Sequence, residues 1–164
     1  MDAEALRDTL LAVSGTLDKT MFGKGTLNQA IPRRSIYLTV KRGNLNPMLQ
    51  LFDAPDAIQS IGHRDITTVP PQALALMNSP LARQLAEKFA QRIQSTPSMA
   101  PEKVVDTAYA TALSRPPTDA ERQQMVDFIN KQTASYGEDG KAMERAVADF
   151  CQLMLCLNEF IFID

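Results

Sequence analysis

The chain has 164 residues, 45% hydrophobic, 22% charged and 6% aromatic, with 17 Lys and Arg against 19 Asp and Glu. A chain of this length buries roughly 70% of the surface it exposes unfolded, so one globular domain spanning residues 1–164 holds a core without disulfides or metal, which excludes disorder, collagen-like fibres and disulfide scaffolds. The formal charge of −2 gives no overall basic field for phosphates and argues against nucleic acid as a partner, and no apolar run nears the ~20 residues of a transmembrane segment.

From the N-terminus, Leu6, Leu10, Leu11 and Val13 recur at near-helical spacing after Asp2, and Gly15 stands where a left-handed stop belongs, which predicts a helix over about 2–14. Met1 is followed at once by Asp2 and Glu4, so a signal peptide's basic leader is missing. Thr16 to Pro32 has no period and reads as loop. Ile36, Leu38 and Val40 then alternate with Tyr37, Thr39 and Lys41, which predicts one short strand closed by Gly43 and Asn44. A single strand needs a partner, which loop backbone, another copy or chain outside this sequence would supply. Met48 to Phe52 gives a brief helical turn, ended by Asp53, Pro55 and Asp56.

Beyond the polar loop Gly62 to Thr68, Pro70 and Pro71 sit in the first turn of a short helix with Thr67 or Thr68 as N-cap, running to Asn78. Ser79 caps the next helix, whose row Leu81, Leu85, Phe89 and Ile93 faces away from its charges. Val104, Ala108, Ala112 and Val105, Tyr109, Leu113 mark another helix, stopped by Arg115, Pro116 and Pro117. Thr118 and Glu121 form a T-x-x-E capping box ahead of a helix that presents Met125, Phe128, Ile129 and Tyr136 and ends at Gly137. The last helix runs from about Lys141 to Leu157 and is apolar all round over Leu153 to Leu157, which places its end inside the core. The fold class is mainly α, an irregular bundle of about six helices with one short β-strand or hairpin.

Cys151 and Cys156 are five apart, about 140° round a helix, and read as packing residues that cannot bridge within it. His63 is the only histidine, so two-His metal sites and a Cys2His2 zinc site are out of reach of one chain. The sequence holds no C-x-x-C-H, P-loop or G-x-S-x-G motif. The eight methionines read as fillers of an irregular core rather than metal or haem ligands, and no metal site is expected.

The densest polar cluster is Asp53, Asp56, His63, Arg64 and Asp65. Carboxylates beside an imidazole suit general acid/base work, and two aspartates suit a hard cation, although no D-x-D-x-D-G loop occurs. The plainer alternative is an Arg64–aspartate pair that pins the loop to the helices. A second candidate, for anions, is Arg33, Arg34, Lys41 and Arg42 around Tyr37. Charges beside an edge strand also serve simply to prevent strand-to-strand association.

The strings Arg33-Arg34-Ser35-Ile36-Tyr37-Leu38, Leu51-Phe52-Asp53-Ala54-Pro55-Asp56 and Arg64-Asp65-Ile66-Thr67-Thr68-Val69-Pro70-Pro71-Gln72-Ala73-Leu74 resemble one C-terminal domain of unknown function. It is that of large cytochrome-associated proteins abundant in planctomycete-type bacteria. Ala112-Leu113-Ser114-Arg115-Pro116-Pro117-Thr118 and Leu157-Asn158-Glu159-Phe160-Ile161 are similar to it as well, so the resemblance covers most of the chain in the family's order. It implies an exported or periplasmic parent protein with a haem-c domain and a further domain upstream, of which this chain is a C-terminal fragment that docks onto them and itself holds no cofactor. The family supplies no catalytic residue to carry over; Arg34, Tyr37, Asp53, Asp56, Arg64, Thr67, Thr68 and Gln72 are its polar motif positions here. An oxidising compartment would require Cys151 and Cys156 to stay buried to remain thiols. Truncation would leave an apolar surface patch, or a homodimer formed through it.

Overall fold

Helix α1, Ala3–Val13, turns Ala3, Leu6, Leu10, Leu11 and Val13 inward in a computed structural model that describes residues 1–55, 62–65, 67–94, 96, 99–137 and 140–162. Gly15 ends its run in the left-handed region, at φ 75°. Arg92 closes that end from the far side of the fold, its Nη1 donating to the carbonyls of Ala12 at 2.6 Å and Val13 at 2.8 Å. A cation on the last carbonyls of a helix satisfies acceptors that have no partner within it and opposes the helix dipole.

Seven more helices follow among the described residues: α2, Pro47–Leu51; α3, Pro70–Asn78; α4, Pro80–Ile93; α5, Pro101–Leu113; α6, Asp119–Ser135; α7, Ala142–Leu155; and α8, Asn158–Ile161. Proline opens α2 to α5, the position where its fixed φ helps and its missing N–H costs nothing. The Asn46 side chain caps α2 by accepting from the N–H groups of Met48 and Leu49, and Ser79 caps α4 through Ala82 N at 3.1 Å. The capping box at α6 forms in both directions: Thr118 N donates to Glu121 Oε2 at 2.7 Å and Glu121 N to Thr118 Oγ1 at 3.3 Å.

The body is built around α7, which packs chiefly on α4 and α6. Its Ala146, Val147, Phe150, Cys151 and Met154 are fully enclosed, meeting Leu85, Phe89 and Ile93 of α4, Val104, Val105, Ala108 and Tyr109 of α5 and Ile129 of α6 in one apolar cluster that includes Leu6 and Leu10 of α1. The mainly α class therefore holds. Both thiols are free, Cys151 buried and Cys156 partly so, and burial raises the pKa of each.

Several local expectations are corrected. The strand over Ile36 to Val40 does not form: Ser35–Tyr37 is a 3₁₀ turn, and Leu38 makes only an isolated parallel bridge with Thr26. Alternation yields a strand when its apolar face has a core beneath it. Here Ile36 is 77% and Val40 68% exposed, whereas Ser35, on the turn, is buried and hydrogen-bonded by α1. Neither Thr67 nor Thr68 caps α3. The N-cap is Val69, whose N–H donates to Gln72 Oε1 at 3.2 Å. The last helix breaks at Leu155 and resumes as the short α8, and Leu81, expected on the core row of α4, is 45% exposed at its first turn.

Candidate functional site

Asp53 follows α2 in the left-handed region, at φ 63°, a conformation that a short polar side chain tolerates when it finds a local partner. The partner is Thr67, whose N–H donates to Asp53 Oδ2 at 2.7 Å and whose hydroxyl lies 2.9 Å from both carboxylate oxygens. Gln72, buried on the first turn of α3, completes the closure by donating from Nε2 to the carbonyl of Leu51 at 3.0 Å. The connection between α2 and α3 is thus drawn shut at its base, on three side chains that the sequence places 5 to 19 positions apart.

Arg64, inside that connection, reaches α1. Nη1 donates to Glu4 Oε2 at 2.7 Å and Nη2 to Glu4 Oε1 at 3.3 Å, a two-pronged grip, with Asp2 3.7 Å away. Partial burial, the largest single influence, pushes the Glu4 carboxyl up, but the Arg64 hydrogen bond, a backbone hydrogen bond and the Arg64 charge together outweigh it and its pKa is lowered. A pin of the loop by Arg64 was expected, with an aspartate of the cluster as partner; the partner is Glu4.

Of the five clustered residues, Asp53, Arg64 and Asp65 line one shallow cleft of about 120 Å³, together with Asp2, Thr67 and Gln72. His63 is exposed and does not line it. Asp56 lies outside the described residues. A general base must come within hydrogen-bond reach of its partner, and among the described residues His63 bonds to no carboxylate, nor does any group of three or more His, Cys, Asp or Glu converge as for a metal. The cleft offers oxygen acceptors, one guanidinium already gripped by a carboxylate and the Thr67 hydroxyl hydrogen-bonded to Asp53; it can hold a water or a small ion.

The four basic residues differ in their surroundings. Arg33 turns inward: its Nη2 donates to the carbonyls of Thr20 at 2.9 Å and Phe22 at 2.8 Å, while its guanidinium stacks 3.7 Å above the Tyr37 ring. Arg34 is mostly exposed, 3.6 Å from Asp8. Lys41 and Arg42 lie exposed at a tight turn closed by Asn44 N donating to Lys41 O.

The residue that organises this region is one the sequence reading missed. Arg7, on α1 and 5% exposed, donates from Nη1 to Arg33 O at 2.9 Å and Ser35 Oγ at 3.2 Å, and from Nη2 to Ile31 O at 2.6 Å. Asp8 beside it accepts from both the N–H and the hydroxyl of Ser35 at 2.7 Å. Burial lowers the Arg7 pKa and Asp8 opposes that shift; from so high a starting value the guanidinium stays charged. The available signal was an arginine at the helical spacing of Ala3, Leu6 and Leu10, on the stripe that faces inward.

Among the described residues no helix is long and apolar enough to cross a membrane. A family model, PSD1, described as a protein of unknown function (DUF1553), matches residues 1–129. No curated protein and no solved structure matches the chain.

Proposed function

We propose, from the premise that this chain belongs to the PSD1 family of proteins of unknown function, that it is a non-catalytic helical module, one domain, which docks onto the upstream domains of an exported, haem-c-bearing parent protein. What supports the reading is the direction in which the polar residues work. Asp53, Thr67 and Gln72 close a loop onto itself, Arg64 grips Glu4, and Arg7 with Asp8 holds residues 29–35 against α1. Each strongly polar group of the family-like strings that lies in a defined contact is an internal fastener. The observation that carries the proposal is the complementary one. Met21, Phe22, Leu27, Ile36 and Val40, each more than half exposed, stand on the long irregular stretch between α1 and α2, which Arg7 and Asp8 hold in place. Ordered backbone that displays large apolar side chains is what a partner surface covers.

The test is made in the parent. A protease site placed ahead of residue 1 is cut, and the digest is run on a sizing column. A docked module co-elutes with the remainder after cleavage; its release as a free species under the same conditions sinks the proposal.

A second reading rests on the cleft shared by Asp53, Arg64 and Asp65: a small anion or a hard cation bound there, as part of a site for an acidic or sulfated polysaccharide. Sulfate, calcium and a sulfated oligosaccharide, each tested for a shift in thermal unfolding, check it. Stabilisation that rises with ligand concentration and disappears in Arg64→Ala supports a site. No shift with any of the three removes it.

A further inference from the structure

Residues 16–45 carry six cations, Lys19, Lys24, Arg33, Arg34, Lys41 and Arg42, against the single anion Asp18, in a chain whose overall charge is −2. The rest of the molecule is therefore acidic and this stretch alone is strongly basic. Arg33 is engaged inside it, and Lys19, Lys24, Lys41 and Arg42 are exposed and form no ion pair among the described residues. The same stretch holds the most exposed of the large apolar side chains, led by Phe22 at 79% and Ile36 at 77%.

Phe22 is held in an unusual way. Its backbone sits in the left-handed region, at φ 66°, ahead of Gly23 at φ 91°. A β-carbon next to the carbonyl oxygen makes that conformation costly for any residue but glycine, and a phenylalanine adopts it only where the surroundings impose it. Three contacts impose it here. The Tyr37 hydroxyl accepts from Phe22 N at 2.6 Å, Arg33 donates to Phe22 O at 2.8 Å, and Arg33 is stacked on Tyr37. Arg7 holds the carbonyl of Arg33 from beneath, which ties the assembly to α1. The result is an aromatic ring projected into solvent from a rigid mount, a side chain that enters a partner's pocket with its backbone already ordered.

Sign and rigidity narrow the occupant. A two-fold pairing of two such stretches would set cations against cations, so a second copy meeting it symmetrically is disfavoured. A fluid bilayer surface attracts lysines but gains nothing from a fixed backbone at Phe22, whereas a shaped socket does. We propose that residues 16–45 are a docking surface whose occupant is an acidic protein face with an apolar socket for Phe22, supplied by the upstream domains of the parent. This rests on the docking reading above and names the surface and the chemistry of its partner.

Amide hydrogen exchange, measured on the parent and on this chain alone, tests it. In the parent, the amides of residues 16–45 are expected to exchange on the order of tenfold or more slowly than in the isolated chain. Phe22→Ser, and separately the pair Lys19→Glu and Lys24→Glu, made in the parent, are expected to remove that difference, as is raised salt for a contact steered by charge. Lys88→Glu on α4 is expected to leave it intact. The substituted side chains are exposed, and the exchange of α7 in the same experiment reports that the fold is kept. Protection in the parent confined to another face, such as Leu74 and Met77 of α3, leaves docking standing and overturns this surface. Absence of protection anywhere overturns both. Protection that arises instead when the isolated chain meets phosphatidylglycerol vesicles, and not in the parent, makes a lipid surface the occupant and overturns the proposal.

Discussion

Arg7 is a charged side chain on the inward stripe of a helix, and its guanidinium is satisfied by carbonyls that come from 24 and 26 positions further on. A buried cation is tolerable only with that many acceptors, and removing it leaves those carbonyls without their donor and Asp8 without the cation beside it. Arg7→Met keeps the length and apolar stem of the side chain and is expected to cost about 2–4 kcal/mol, read from urea unfolding, with a new protease-sensitive stretch between residues 16 and 45. Equal stability and an unchanged digestion pattern would show that the arginine is not the fastener. Its spacing was readable in the sequence, since it shares a face with Ala3, Leu6 and Leu10. Its partners were not, because main-chain carbonyls leave no side-chain signature. The same holds for Arg64, whose position in a polar string was plain but whose partner, Glu4, is 60 residues away.

At the scale of the element, the join between α5 and α6 shows how a local rule gains a distant member. Thr118 and Glu121 satisfy the first amides of α6, and Arg115 grips Glu121 through Nη2 at 2.8 Å and Glu159 of α8 through Nε at 2.6 Å. The Arg115 hydrogen bond, followed by the Thr118 N–H, lowers the Glu121 pKa to about 2, and Arg115 lowers that of Glu159 as well. Both carboxylates hold protons more weakly folded than unfolded. The stabilisation from Glu121 is therefore complete above the unfolded value of about 4.5 and is lost as the pH falls from there towards about 2, and that from Glu159 is lost in the same direction. Urea unfolding at successive pH values is expected to show this acid limb and to show it flattened in Glu121→Gln; an undiminished limb in that variant would place the acid sensitivity elsewhere. Thr118→Ala is expected to cost about 1 kcal/mol at neutral pH. The capping box itself was legible from T-x-x-E. Arg115 was visible only as a stop, since nothing local to it announces Glu159.

At the scale of the molecule, α7 is the element the others wrap. Phe150→Ala, at its centre, is expected to cost about 3–5 kcal/mol, measured by thermal or urea unfolding, and a loss under about 1 kcal/mol would mean that the site collapses around the vacancy. Helices such as α4 and α7 were readable because each repeats its apolar residues at one period against one core. Residues 16–45 were not, because their largest apolar members, such as Phe22, Ile36 and Val40, face water and their order comes from α1 and from Arg33 over Tyr37. Of the candidate site, composition revealed which residues are polar and clustered, while the structure alone reveals that Asp53 closes on Thr67 and Arg64 on Glu4. A surface stretch that adds little to the core ordinarily gains and loses residues freely. This one does not have that freedom. Shorten it, and the Arg7 guanidinium stays beneath with no carbonyl to accept its hydrogen bonds; lengthen it between Ile31 and Ser35, and the acceptors fall out of register with a donor that cannot follow. The length of an outer loop is set from inside the fold, so insertions and deletions there are expected to be felt as core damage.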